Sequence, residues 1–353
     1  MHNKNLLAVA VAAAMLSGGA YAQTNVSIYG VMDSGVEYTN HAGAAGSAVR
    51  LMSGGTNTSR IGFKGAEDLG GGLKAIFKLE GGILLDTGAG DGNLFGRQAN
   101  VGLKGGFGQV ILGRGYSTTY DFMLPFDPQG YSPLYSWATS GNATGGRKDG
   151  MLTGVNNLIK YQGEFGGVKI GATYGFGETA GDTTDNSKYA LAAGYAGGPF
   201  SAALVYDRVN GTTGGAPGAI DKTSTIHLGL GYAINPSIKV LFGYRDYKKT
   251  LASGAPDLRS DMYWTGFSYK ASPAVTLTSA IYYQNIKNVA AGTDADPLLF
   301  ALRAKYTMSK RTFLYTSLGY ARAKNNRPVS VSRDDAGFAD NQTGVTVGIQ
   351  HRF

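Results

Sequence analysis

Cations recur along this 353-residue chain singly and at even spacings, as in Arg60 and Lys64, Lys74 and Lys78, and Arg303 and Lys305. Residues two or four apart share one face of a β-strand, because side chains alternate sides with a period of two. Rows of charge on such a face steer ions without making or breaking a bond. Covalent chemistry has little to draw on. His2, His41, His227 and His351 are the only histidines, and none belongs to a visible set of nucleophile, base and orienting group. The absence of cysteine removes disulfides and thiolate metal sites. Asp182 with Asp185 and Asp334 with Asp335 lack the spacing of a cation loop, and nothing asks for a cofactor.

The elements that must carry these charges are strands. With 55 Gly and 22 Tyr, 43% hydrophobic and 16% charged residues, the composition suits Gly-punctuated aromatic strands better than helices. Residues 1–22 read as a secretory leader: Lys4 precedes an apolar run from Leu6 to Leu16, and Ala20-Tyr21-Ala22 forms a small-residue cleavage site. Its removal with Lys4 takes the formal charge from +8 to +7. Later apolar stretches are too short for a membrane helix. The remaining cations are scattered rather than gathered on one element, which argues against nucleic acid as a partner.

Alternation is clear in several segments. Val168, Ile170, Ala172, Tyr174 and Phe176 oppose Lys169, Gly171, Thr173 and Gly175; Ile238, Val240, Phe242 and Tyr244 oppose Lys239, Leu241, Gly243 and Arg245. Ile226 to Tyr232, Leu298 to Tyr306 and Val345 to Phe353 repeat the pattern. Short turns at Gly105-Gly106, Gly166-Gly167, Gly197-Gly198-Pro199, Asn235-Pro236, Ser272-Pro273 and Ser309-Lys310 alternate with longer polar stretches. These lie around 40–57, 114–153, 177–187, 210–222, 248–258, 287–296 and 323–341. Short turns at one end and long loops at the other are the pattern of an outer-membrane barrel, oily outside and wet inside. Counting up-down pairs from Asn25 to Phe353 predicts that residues 23–353 form an all-β, transmembrane antiparallel barrel of about sixteen strands, wide enough for an aqueous channel. Tyr29, Tyr38, Phe176, Tyr195, Phe200, Tyr206, Tyr232, Tyr269 and Tyr306 are expected in the interfacial aromatic girdles.

One segment is more specific: Ser59-Arg60-Ile61-Gly62-Phe63-Lys64-Gly65-Ala66-Glu67-Asp68-Leu69-Gly70-Gly71-Gly72-Leu73-Lys74-Ala75. It is followed in order by Leu94-Phe95-Gly96-Arg97-Gln98-Ala99, Leu112-Gly113-Arg114, Val155-Asn156-Asn157-Leu158-Ile159-Lys160-Tyr161 and a terminal His351-Arg352-Phe353. The set resembles the general porins of Gram-negative bacteria, in particular the betaproteobacterial group, over essentially the whole mature chain. The resemblance implies a homotrimer in outer-membrane lipid and lipopolysaccharide, with Phe353 presented to the barrel-assembly machinery. It also implies a third outer loop, residues 114–153, that folds inward and narrows the pore. Loops this long are usually functional, and the hydrophobic neighbours of Asp121 and Asp127 suit a loop pinned to a wall.

In that family, loop acids face a cluster of wall cations. The resemblance places Arg60, Arg97 and Arg114 at the constriction with Lys74 and Lys78, opposite Asp121 and Asp127. Alternation independently turns Arg60, Lys64, Lys74 and Lys78 inward. It groups Arg97 with Ala99, Val101 and Leu103, so the inward placement of Arg97 rests on the resemblance, and a bulge or a trimer-facing strand must explain its apolar partners. Lys64, Lys169, Lys239, Arg245, Arg303 and Lys305 are expected to line the lumen, where they outnumber the acids Glu80 and Asp207. The expected function is passive diffusion of ions and small hydrophilic solutes with a modest anion preference. The alternative is a barrel serving mainly as a surface adhesin or structural protein through its long loops. Neither is an enzyme.

Overall fold

The computed structural model describes residues 25–140, 149–213 and 218–353; the expected leader, 1–22, lies outside the described residues. Strands follow as β1 (Asn25–Gly43), β2 (Gly46–Ser53), β3 (Arg60–Gly70), β4 (Leu73–Ile83), β5 (Gly90–Asp91), β6 (Gln98–Gly105), β7 (Gly108–Tyr116), β8 (Gly154–Phe165) and β9 (Val168–Gly175). The second half adds β10 (Lys188–Gly197), β11 (Phe200–Asn210), β12 (Lys222–Asn235), β13 (Ile238–Thr250), β14 (Pro256–Lys270), β15 (Val275–Ile286), β16 (Leu298–Thr307), β17 (Thr312–Arg322) and β18 (Asn341–Arg352). Each pairs antiparallel with its neighbours, and β1 closes on β18 from Val31↔Arg352 to Thr39↔Gly344. Closure joins the first and last strands of the sheet to each other, the condition for strands to cross a bilayer.

These 18 segments make a 16-strand barrel because two staves are broken. One edge of β1 pairs with β3 over Asn25–Val31 and with β2 beyond Ser34, so β2 and β3 form one stave. Likewise β5 and β6 share one edge of β4. At the first break, backbone N–H groups of Gly55, Thr56 and Asn57, freed from the ladder, donate to the buried Asp33 carboxylate. A carboxylate accepting several such bonds replaces the lost ladder bonds.

The expected alternation holds in both halves of the barrel. Ile28, Val36, Leu204 and Val347 are each more than half exposed on the outer face, as lipid-facing residues must be. Among the expected girdle residues, Tyr38, Phe176, Tyr195, Phe200, Tyr232, Tyr269 and Tyr306 are exposed on the outside. Tyr29 is a correction. Val26 and Ile28 take the outer face of β1, so Tyr29 points into the lumen, where its hydroxyl reaches Glu80 at 2.7 Å. A loop not anticipated, 84–97, joins β4 to β6 around the two-residue β5.

The core of this molecule is inside the barrel. Between β7 and β8 the chain turns inward: Ser117 caps helix α1 (Thr118–Met123) by accepting from the Tyr120 N–H, and a 3-10 turn, Leu124–Phe126, follows. Phe122, Met123, Phe126, Tyr131, Leu134, Tyr135 and Trp137 are buried with wall residues Val205, Met262, Trp264, Tyr282 and Leu299. Each such side chain removed from water is worth about 1.5–3 kcal/mol, so apolar burial seats the loop firmly. Wall glycines supply the space. A β-carbon at Gly171 would stand 2.7 Å from the Phe122 ring, and at Gly266 2.8 Å from Pro128; at Gly229 and Gly319 it would collide with Phe126 and Tyr135. Polar anchors fix the register of the loop. Trp264 Nε1 donates to Phe126 O at 2.9 Å, Arg245 to Ala138 O at 2.8 Å, and Thr119 Oγ1 to Asp207 at 2.9 Å.

Candidate pore constriction

With the loop seated against the β9–β18 side, open space remains along β1 to β8. A cavity of about 670 Å³ is lined by Arg60, Lys64, Lys78, Glu80, Arg97, Lys104, Tyr116, Tyr120, Asp121, Leu124 and Lys160, among others. A second, of about 430 Å³, lies toward the loops and adds Asn57, Thr58, Tyr131 and the ion-paired Arg333 and Asp334. Arg60, Arg97, Tyr116, Tyr120 and Leu124 line both, which marks them as the waist between the two.

Glu80 organises the wall side. Its carboxylate accepts from Tyr29 Oη at 2.7 Å, Arg97 Nε at 2.9 Å and Tyr116 Oη at 3.3 Å, with Lys78 Nζ at 3.7 Å and Arg60 Nε at 3.9 Å. Lys64 and Lys78 stand 5.1 and 5.4 Å from the Tyr29 ring centre, within cation–π range. The broken staves position the arginines. Asn57 Oδ1 and Thr58 O, in the first break, accept from Arg60 at 2.7 and 3.0 Å, and Thr58 Oγ1 accepts from Arg97 at 2.8 Å. One carboxylate thus faces Arg60, Lys78 and Arg97, with Lys64 beside them, and the wall keeps a positive excess.

The loop side does not balance it. Asp121 is ion-paired with Lys160, whose ammonium also donates to Tyr116 O at 2.9 Å. Asp127 is buried and accepts from Tyr282 Oη, Ser136 Oγ at 2.7 Å and the Tyr131 N–H at 2.6 Å. Burial raises the pKa of Tyr120, the ring this loop presents at the waist.

Arg60, Arg97, Lys78, Lys64 and Asp121 therefore meet in one space. Arg97 lies just before β6, outside the pleat, so the parity that would turn it toward lipid does not apply. Three expected constriction residues lie elsewhere. Arg114 is within β7, not in the loop, and donates to Gly96 O and Asn156 Oδ1 away from both cavities. Lys74 is exposed at the turn end of β4, opposite Lys104. Asp127 is a loop anchor rather than a pore charge.

The lumen-lining set also divides. Lys169 lies 5.2 Å from the Phe122 ring centre, and Lys305 5.3 Å from that of Phe313; Lys239 sits at the turn end of β13. Arg245 is fully buried beneath the loop and holds it instead of facing the water path, while the half-buried Arg303 donates to Gln129 O of the loop at 3.2 Å. His227 is buried against Asp207 at 2.9 Å. Sequence reasoning missed Lys160, although Ile159 and Tyr161 alternate with it, and also Tyr116 and Tyr120, which no periodicity marks.

A family model described as Gram-negative porin matches residues 8–326. The chain belongs to that family. This porin is 33% identical over 364 residues to outer membrane porin protein 32 of Delftia acidovorans, covering 99% of each. It is 31% identical over 405 residues to an outer membrane porin protein of Bordetella pertussis, covering 99% of this chain and 100% of the relative. Among solved structures, the anion-selective porin from Comamonas acidovorans superposes with a TM-score of 0.81 at 29% identity, over 94% of this chain and 100% of that one. The protein is a porin of a Gram-negative outer membrane, and its family consists of channels, not enzymes.

Proposed function

We propose that this porin passes ions and small hydrophilic solutes by passive diffusion with a modest preference for anions. The observation that carries this reading is the unequal use of charge at the waist. Arg60, Lys78 and Arg97 share the single carboxylate of Glu80, while the loop acids are engaged, Asp121 by Lys160 and Asp127 by buried donors. Low-dielectric walls focus the remaining positive potential on the water path, and weak, distributed attraction permits flux where tight binding would not. The solved neighbour described as anion-selective supports the same sign. The reading extends to a homotrimer in lipid and lipopolysaccharide, with Phe353, 40% exposed at the closing seam, offered to the assembly machinery.

Planar-bilayer recording of the refolded, leader-free protein in asymmetric KCl tests it. Ohmic steps with a chloride-selective reversal potential are expected, shifting toward cations in the double variant Arg60→Ala, Arg97→Ala. A folded, non-conducting barrel, or cation selectivity in the unmodified protein, overturns the reading.

A further inference from the structure

The waist has two unlike sides. Beside Arg97 on the wall stands Tyr116, the last residue of β7, and against them the loop sets Tyr120 and Leu124; all three line both cavities. The Tyr116 and Tyr120 rings stack with centres 4.3 Å apart and planes at 11°, and Tyr131 meets Tyr120 edge-on at 4.9 Å. Arg97 Cζ lies 5.7 Å from the centre of the Tyr116 ring. Leu124 is 37% exposed, whereas its apolar loop neighbours Phe122, Met123 and Phe126 are buried.

A small inorganic anion can use the guanidinium groups and the tyrosine hydroxyls of this arrangement, and gains nothing from the ring faces or Leu124. A solute with one carboxylate and one flat ring uses both. Its carboxylate suits a guanidinium fork, and its ring can pack on an aromatic face and on Leu124. The loop acids that line the two cavities, Asp121 and Asp334, are paired with Lys160 and Arg333 and do not confront an incoming anion with an unpaired negative charge.

We propose that this waist is a selectivity site for small aromatic carboxylates, which cross with the carboxylate on Arg60 and Arg97 and the ring against Tyr120 and Leu124. The site rests on the pore reading above and names the solute class it favours.

Benzoate and cyclohexanecarboxylate, alike in charge and similar in size, are the probes. Each is added to single channels in KCl, and its residence time is taken from noise in the chloride current. Benzoate is expected to reside about three- to ten-fold longer, the span of one aromatic contact. The ratio should fall to about one in Tyr120→Leu, or in Leu124→Asn if the first variant does not insert. Equal residence in the unmodified protein, or an unchanged ratio in the variant, overturns the proposal. Loss of KCl steps or of chloride selectivity in the unmodified protein would instead sink the pore reading itself, so the two failures are distinguishable.

Discussion

Glu80→Gln is the most informative single change, because it removes one negative charge at the waist while keeping the side chain's shape. Arg97 keeps its bond to Thr58 and Arg60 its bonds to Asn57 and Thr58, and both border open cavities, so the fold is expected to persist. An ion passing at roughly 5 Å in a dielectric of about 80 feels one unit charge as about 0.8 kcal/mol. The change favours an anion and disfavours a cation by similar amounts, so the limit on the shift in their permeability ratio is roughly 15-fold. Screening, with a Debye length of about 10 Å at 0.1 M salt, lowers this to about three- to ten-fold toward chloride. The assay is the reversal potential across a bilayer in a KCl gradient. An unchanged potential, or a shift toward potassium, would refute the placement of Glu80 beside the ion path.

Two further outcomes follow from the loop. Gly229→Val puts side-chain atoms where Phe126 now lies; the overpacking costs about 1–3 kcal/mol and pushes the loop toward the open side, so single-channel conductance should fall. Equal conductance would show that Phe126 is not seated there. Asp121→Asn frees the Lys160 ammonium and should move the KCl reversal potential toward chloride, in the same direction as Glu80→Gln but less, since Tyr116 O still accepts from Lys160.

What the sequence discloses and what it hides divide along a physical line. Periodicity reports which face a strand residue takes, so Arg60, Lys64, Lys78 and the lipid-facing set were legible. It is silent wherever the chain leaves the pleat, as at Arg97, and it does not say how far along the barrel a charge lies, as at Lys74. Asp127 resembled a pore charge because its neighbours are apolar, and that same feature belongs to an anchor: its partner Tyr282 is 155 residues away. Arg245 and Arg303 sit on the inner face as alternation requires, but whether an inner residue meets water depends on where the loop lies. That is decided by long-range fit between Phe122, Phe126 and Tyr135 and the wall glycines.

The seat of the loop is built from missing side chains, and this makes its variation one-directional. No residue is smaller than glycine, so every substitution at Gly171, Gly229, Gly266 or Gly319 adds bulk behind the loop and crowds the passage. A lineage that needed a wider bore would have to trim the loop itself, at Phe122, Phe126 or Tyr135. Narrowing is thus open to changes in either partner, and widening to changes in only one.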